Sequence, residues 1–402
     1  MEGQIDMPGP LQGLKVIELS HIMAGPVCGM MLADMGADVI KVEKIGSGDD
    51  SRKMIPPVIA GQSAAFMMMN RNKRGIALDL KHEDGRSVLA EMLSTADIVI
   101  ENYRHDTMEK LGLGYARLKE KNPGLIYVEI SGYGRTGPYA ERAGFDLIAQ
   151  GVSGLMSITG PDGGGPPVKV GAPVTDITAG IIAAMGALGA YIHRLKTGEG
   201  QRVDTSLFEA GITHTFWQSA ICLATGISPV ALGSAHPLNA PYQAFETRDG
   251  WINIGAANQK NWKILLGIIA AEHLDEDPRF ADNASRMQHK DELVEVLTPL
   301  LKSRRTDEWL EVMDKAGLPA GPILSIGEML THAQTIARGM VVETEHSIAG
   351  AAKSLGHPVR YHETPAEISR PAPVLGQHTD EVLAEYGYNA GMITALRDKG
   401  VI

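Results

Sequence analysis

Leu14-Lys15-Val16-Ile17-Glu18-Leu19, Gly25-Pro26 and Ala37-Asp38-Val39-Ile40-Lys41-Val42-Glu43 open the chain as two short apolar strands on either side of a glycine-proline turn. The stretch Val27–Met35 between them reads as a helix, so the whole is a βαβ unit of about 30 residues. The rhythm continues with a strand over Gly75–Leu80, a helix over Gly85–Ala96 and a strand over Asp97–Ile100. A short helix near Met108–Leu111 and a strand over Leu125–Ile130 follow. Strands that alternate with helices predict an α/β fold built on a parallel sheet.

Further on, Gly160-Pro161-Asp162-Gly163-Gly164-Gly165-Pro166-Pro167 is a loop by composition. The apolar, Gly/Ala-rich run Ile177–Ile192 then predicts a buried core helix, with Gly198 as its C-cap, and Gln201–Leu207 reads as a strand. Beyond Gly226 the texture changes. Pro229, Pro237 and Pro241 break up a loop, Gly250–Ala256 looks like a strand, and Lys290–Leu301 and Thr306–Ala316 carry helical patterns with polar faces. The tail is strand-rich at first, crosses several prolines and ends in a helix over Thr379–Tyr386.

With 402 residues, a 44% hydrophobic content and charges of both signs scattered throughout, the chain reads as a globular enzyme of more than one domain. Its formal net charge of −11 argues against nucleic-acid binding, which needs a dense basic patch. The two cysteines, Cys28 and Cys222, sit in apolar helical stretches and suggest neither a disulfide framework nor a metal site. The start lacks the basic and apolar regions of a signal peptide, and the apolar run before Lys196 is shorter than the ~20 residues of a membrane span. A cytoplasmic protein with no membrane partner is expected.

Gly132-Tyr133-Gly134-Arg135-Thr136-Gly137 matches a dinucleotide fingerprint in spacing. Pro138 follows at once, however, and no strand ending in Asp or Glu comes after it, so a glycine turn at the end of a parallel strand is the better reading. No GxSxG, HExxH or Walker A pattern occurs. Lys41, Lys44, Arg52, Lys53, Arg71, Lys73, Arg74 and Lys81 cluster in an otherwise acidic chain, as either a phosphate site or a solvated charged face. Asp176, in Val170-Gly171-Ala172-Pro173-Val174-Thr175-Asp176 just before the apolar helix, suits an N-cap. It also suits a nucleophile that the helix dipole keeps ionised. Local pattern leaves both open.

Taken together, these segments resemble the class III CoA-transferases, the formyl-CoA and carnitine CoA-transferase type. The resemblance is carried by Leu14–Leu19 with His21 and Ala24-Gly25-Pro26, by Leu32–Glu43, and by Asn72–Lys81. Glu101-Asn102-Tyr103-Arg104, Ile130–Gly134, the Asp176 segment, Thr197–Gln201 and Leu375–Thr379 complete it. It implies a Rossmann-like large domain over 1–205, a linker over 206–224, a smaller α+β domain over 225–330, and a return of 331–402 to the large domain. It also implies an interlocked homodimer, each chain threaded through its partner. By the same resemblance Asp176 is the catalytic aspartate. Met23, Ala24, Lys44, Leu78, Asp79, Leu80, Lys81, Asn102, Tyr103, Arg104 and Lys110 fall where the family contacts CoA.

The implied reaction moves CoA from an acyl-CoA to a carboxylic acid by covalent catalysis, with no metal and no cofactor beyond CoA and acyl-CoA as substrates. The α-methylacyl-CoA racemases share the resemblance but carry Gly-His-Asp where this chain has Gly144-Phe145-Asp146. Phenylalanine cannot shuttle a proton, so CoA transfer is favoured over racemisation. A non-catalytic CoA-binding module is the third possibility. The tetraglycine loop of formyl-CoA transferases is absent, and Gly233-Ser234-Ala235-His236-Pro237 stands instead. His21, Phe145, Asp146 and His236 are the candidates for contact with the acid substrate.

Overall fold

The computed structural model describes residues 9–402. The principal elements of the first part are β1 (Lys15–Leu19), α1 (Ala24–Asp34), β2 (Asp38–Lys44), β3 (Lys73–Leu78), α2 (Glu83–Ser94) and β4 (Ile98–Glu101). Then come α3 (Tyr115–Lys121), β5 (Ile126–Ser131), α4 (Asp146–Val152), α5 (Val174–Thr197), β6 (Arg202–Ser206) and α6 (Leu207–Thr213). The six strands form one sheet in the order β3-β2-β1-β4-β5-β6, and every neighbouring pair is parallel. This is the predicted α/β architecture. The sheet is buried on both faces, which is why its strands read as nearly continuous apolar runs. One core packs Val16, Val39, Ile98, Val128 and the helix residues Cys28, Leu32 and Ala183, while the other packs Ile17, Ile40, Ile76, Val99 and Leu89.

The helix α5 is longer than the apolar run suggested. It has 24 residues and is the one helix, among those described, long and apolar enough to cross a membrane by length and composition. Its alanine stripe, Ala179, Ala183, Ala187 and Ala190, is buried in the first core. Gly180 lets α1 approach: a Cβ there would lie 2.6 Å from the Ala24 carbonyl oxygen and 2.8 Å from Val27. Gly198 ends the helix in the left-handed region, its N–H donating to Arg194 O at 2.7 Å.

The chain divides into two compact units. One comprises the chain to Gly154, Val170–His214 and Ala333–Ile402; the other comprises Leu155–Lys169 and Thr215–His332. The boundary within the expected 206–224 linker is sharp, since α6 belongs to the first unit and α7 (Phe216–Thr225) to the second. Residues 155–169, inside the stretch read as the large domain, belong to the second unit. That unit holds β7 (Tyr242–Glu246), β8 (Trp251–Gly255), α8 (Gln259–Ile268), α9 (Lys290–Leu301), α10 (Thr306–Lys315) and β9 (Ala320–Pro322). Its three strands pair antiparallel around a core of Trp262, Phe245, Phe280 and Trp309. In the first unit, the tail adds the hairpin β10 (Val341–His346) and β11 (Gly350–Leu355), then α11 (Thr379–Glu385) and α12 (Ala390–Asp398).

Candidate active site

In a doubly wound parallel sheet the loops at the carboxyl ends of the strands diverge where the strand order reverses, and ligands bind there. In this sheet the reversal lies at β1, between β2 and β4. Its loop, His21–Ala24, lines a cavity of about 230 Å³ together with Asn102–His105 after β4, Ser131, Gly132 and Arg135 after β5, and Leu207 after β6. The segment Ala140–Phe145 and Asp176 complete the wall. Every one of these residues belongs to the first unit.

Asp176 is not a cap. Helix α5 begins at Val174 with Pro173 at its N-cap, so Asp176 lies in the first turn. Its carboxylate is half-buried and has no side-chain hydrogen-bond partner among the described residues. The helix dipole was expected to keep it ionised. Burial, reinforced by the neighbouring negative charge of Asp146, instead raises its pKa to about 7.

Asp146 does not line the cavity. Its Oδ1 accepts from the backbone N–H of Thr175 at 3.0 Å and from the Thr175 hydroxyl at 2.8 Å, and its Oδ2 accepts from Gln150 Nε2 at 2.7 Å. Gln150, fully buried, accepts through Oε1 from Val170 N at 2.9 Å. The start of α5 is therefore pinned to α4 on the residue next to Asp176. Phe145 does line the cavity, 66% exposed. Gly132 and Gly144 meet backbone to backbone, a Cβ on Gly132 falling 2.8 Å from Gly144 Cα. The GxGxxG run is the expected turn after β5, with Gly134 and Gly137 at φ of 92° and 83°.

The β1 loop is fixed from two sides. Asn102 accepts from His21 N at 2.8 Å and donates to His21 O at 2.9 Å, while Asp49 accepts from Ile22 N at 3.0 Å. Together they hold Ile22, a β-branched residue, in the left-handed region at φ 66°. The amide of Asn102 is thus engaged by backbone, although Asn102 also borders the cavity.

Most of the basic cluster is neither a phosphate site nor a solvated face. Lys41 is fully buried between Glu18 and Asp49, 2.9 Å from each, and Lys73 lies 2.7 Å from Glu18. Burial opposes the charge on Lys41, but Glu18 and Asp49 outweigh it and hold its pKa above the ordinary value. Burial dominates at Lys73 and brings it down to about 8. Arg52 pairs with Glu43, Arg71 with Asp34 and Arg74 with Asp38. The exposed Lys44 at the end of β2, Lys81 beyond β3 and Lys110 beyond β4 are different: none has an acidic partner among the described residues.

Of the positions expected to meet CoA, Met23, Ala24, Asn102, Tyr103 and Arg104 line the cavity. Lys44, Asp79, Leu80, Lys81 and Lys110 lie outside its lining, and Leu78 is core at 1% exposure. His21 lines the cavity and stacks obliquely on Tyr103 at 5.5 Å. His236 belongs to the second unit, stacked on Tyr242 at 5.0 Å, and burial lowers its pKa. Arg135 and Gln150 were not expected. Arg135 donates to Glu101 Oε1 at 2.7 Å and to Tyr103 O at 3.1 Å, tying the turn after β5 to the loop after β4. Nothing in the local sequence pairs these partners.

A doubly wound sheet with a carboxylate in the wall of its switch-point cavity has the layout of an enzyme site. The sequence matches CoA-transferase family III over residues 11–379, and the chain belongs to that family. It is 41% identical to the succinate–glutarate CoA-transferase of Agrobacterium fabrum, over 94% of this chain and 97% of that protein. It is 36% identical to the human succinyl-CoA:glutarate CoA-transferase, over 98% of this chain and 90% of that one. A CAIB/BAIF family protein from Brucella suis has the same fold, with a TM-score of 0.83 and 38% identity over 94% of this chain and 100% of that one.

Proposed function

We propose that this enzyme moves CoA from succinyl-CoA to a short dicarboxylic acid, with Asp176 as the covalent nucleophile. The observation that carries the mechanism is the half-buried carboxylate of Asp176, without a side-chain hydrogen-bond partner among the described residues, in the wall of the switch-point cavity. The Asp176 carboxylate attacks the thioester carbonyl, and the C–S bond breaks to give an aspartyl mixed anhydride and CoA thiolate. The thiolate attacks the aspartyl carbonyl and expels the donor carboxylate, leaving an aspartyl-CoA thioester. The acceptor carboxylate attacks that thioester, CoA thiolate leaves again, and its attack on the acceptor carbonyl returns Asp176 as the free carboxylate. No net proton is needed. Exchange between acids of similar energy is split into steps with good leaving groups.

The lining supports this order of events. Gly132, in the turn after β5, brings backbone to the cavity wall, where developing oxyanions would need a donor. Lys44, Lys81 and Lys110, exposed at the carboxyl edge of the sheet, suit the phosphates of CoA. The names of the relatives support succinyl-CoA and a dicarboxylate as the pair. Phe145, where a racemase would need a proton carrier, favours transfer.

Incubation with succinyl-CoA followed by hydroxylamine should convert Asp176 to its hydroxamate, read by peptide mass spectrometry. Asp176→Ala should lower transfer by about 10⁴-fold or more. Sustained turnover with Asp176 unmodified would overturn the reading.

A further inference from the structure

We propose that Arg142, stacked on Tyr139 in the wall that also holds Asp176, reads the remote carboxylate of the dicarboxylic substrate and so sets the preference for diacids. The inference rests on the CoA-transferase reading and goes beyond it in assigning the specificity residue.

Three arginines line the cavity: Arg104, Arg135 and Arg142. They differ in what already neutralises and fixes them. Arg135 is 6% exposed, held by Glu101 at 2.7 Å and Glu129 at 3.2 Å, so its charge is matched from within. Arg104 and Arg142 are both exposed, but Arg104, on the loop after β4, has no side-chain hydrogen bond, ion pair or ring contact that orients it among the described residues. Arg142 is oriented yet not neutralised. Its guanidinium lies over the Tyr139 ring at 3.7 Å, and Tyr139 meets Tyr133 edge-on at 5.3 Å. Tyr133 in turn packs against Phe208 at 6.1 Å.

The backbone holds the same segment at both ends. Arg142 N donates to Tyr139 O at 2.9 Å, and the Gly132–Gly144 contact anchors the chain two residues further on. Arg142 has no carboxylate partner among the described residues, the adjacent Glu141 included. A stacked guanidinium presents its N–H edge in a fixed plane, the geometry that matches a carboxylate in a two-point bond.

An anion meeting Arg142 could be a carboxylate of the acid or a phosphate of CoA. Size favours the carboxylate. At about 230 Å³ the cavity has room for a short acyl group and its thioester, whereas the phosphates lie beyond the whole pantetheine arm. Arg142 lines the same cavity as Asp176, so its charge is within reach of a carboxylate carried on the acyl end. A diacid brings a second charge into the cavity, where an oriented guanidinium can pair with it in a two-point bond. With Arg142 in place it is recognised. A monoacid of equal length would leave Arg142 without its partner, and sites built for a polar group discriminate against analogues that lack it.

The test compares glutarate with valerate as acceptors from succinyl-CoA, in the wild type and in Arg142→Gln, Arg142→Lys and Tyr139→Leu. The wild type should prefer glutarate, and Arg142→Gln should reduce that preference by about 10²-fold in kcat/KM. Arg142→Lys, which keeps the charge but loses the fork, and Tyr139→Leu, which keeps the fork but loses the stack, should each fall between. Thermal melts identify any variant that fails to fold, and Arg142→Lys then carries the comparison. An unchanged preference in well-folded variants would overturn the proposal. So would a raised KM for succinyl-CoA with both acceptors alike, which would mark a phosphate contact. A wild type that transfers CoA to no acid would instead refute the transferase reading itself.

Discussion

A carboxylate that acts as a nucleophile near neutral pH faces opposed requirements, since it has to be ionised yet basic. In the role proposed for it, Asp176 would meet them through burial and the charge of Asp146, which together place its pKa near 7. The sign of the consequence is fixed. Above about pH 7 Asp176 is ionised and below it protonated, so if it is the proposed nucleophile, acylation should rise with pH through that region. Asp146→Asn removes the neighbouring charge and keeps an oxygen that can accept from Thr175. Its acylation limb should move to lower pH, by up to about one unit, because burial still acts on Asp176. Rapid-mixing measurement of CoA release between pH 5 and 9 would read this; a limb that stays in place would assign the shift to burial alone. Sequence pattern pointed to Asp176 but not to this setting. Its perturbing partner lies thirty positions away (Asp146 to Asp176), and only the hydrogen bonds to Thr175 reveal that the two meet.

At the scale of elements, the strands and long helices were readable to within a few residues, because a sheet covered on both faces gives unbroken apolar runs. The small helix α4 was not. Leu147, Ile148 and Val152 are exposed on it while Gln150 is buried, so its polarity runs against the periodicity that marks a helix. The basic cluster misleads for a similar reason. Glu18 stands directly opposite Lys41 across β1 and β2, and a strand register is invisible in a linear run of charges. What sequence does show, once the fold is known, is the role of Gly180. It sits where α5 crosses α1, and α1 begins at the loop that lines the cavity. Gly180→Val would drive a side chain into the Ala24 carbonyl and Val27, forcing the helices apart. Overpacking of this kind typically destabilises by about 1–3 kcal/mol. The variant should melt lower, and kcat should fall as Ala24 and Asp176 separate. A variant that melts normally with full activity would show that the crossing has slack.

For the molecule as a whole, the path of the chain is the central fact. It leaves the first unit after His214, builds most of the second, and returns at Ala333. The return is firmly attached. Arg74 binds Glu381 at 2.8 Å and Glu385 at 2.6 Å, the Gly75 N–H donates to His378 Nδ1 at 3.0 Å, and Asp79 N donates to Val401 O at 2.8 Å. On α5, opposite the alanine stripe, Ile181, Met185, Ile192 and Leu195 remain exposed in the isolated chain, and a large apolar stripe of this kind marks an interaction surface. The family resemblance proposes its occupant, a second copy threaded through the first. An interlocked pair differs from an ordinary dimer in how it comes apart. Simple contact yields folded monomers on dilution, whereas linked chains separate only when one unfolds. Mass photometry at nanomolar concentration should therefore find dimers alone, and in denaturant the loss of the dimer by sedimentation should coincide with the loss of helical signal. Met185→Asp with Leu195→Asp should lower the midpoint of that joint transition, because the charges enter the proposed contact. A folded monomer populated before unfolding would rule out the linkage, and a wild-type monomer at all concentrations would rule out the dimer.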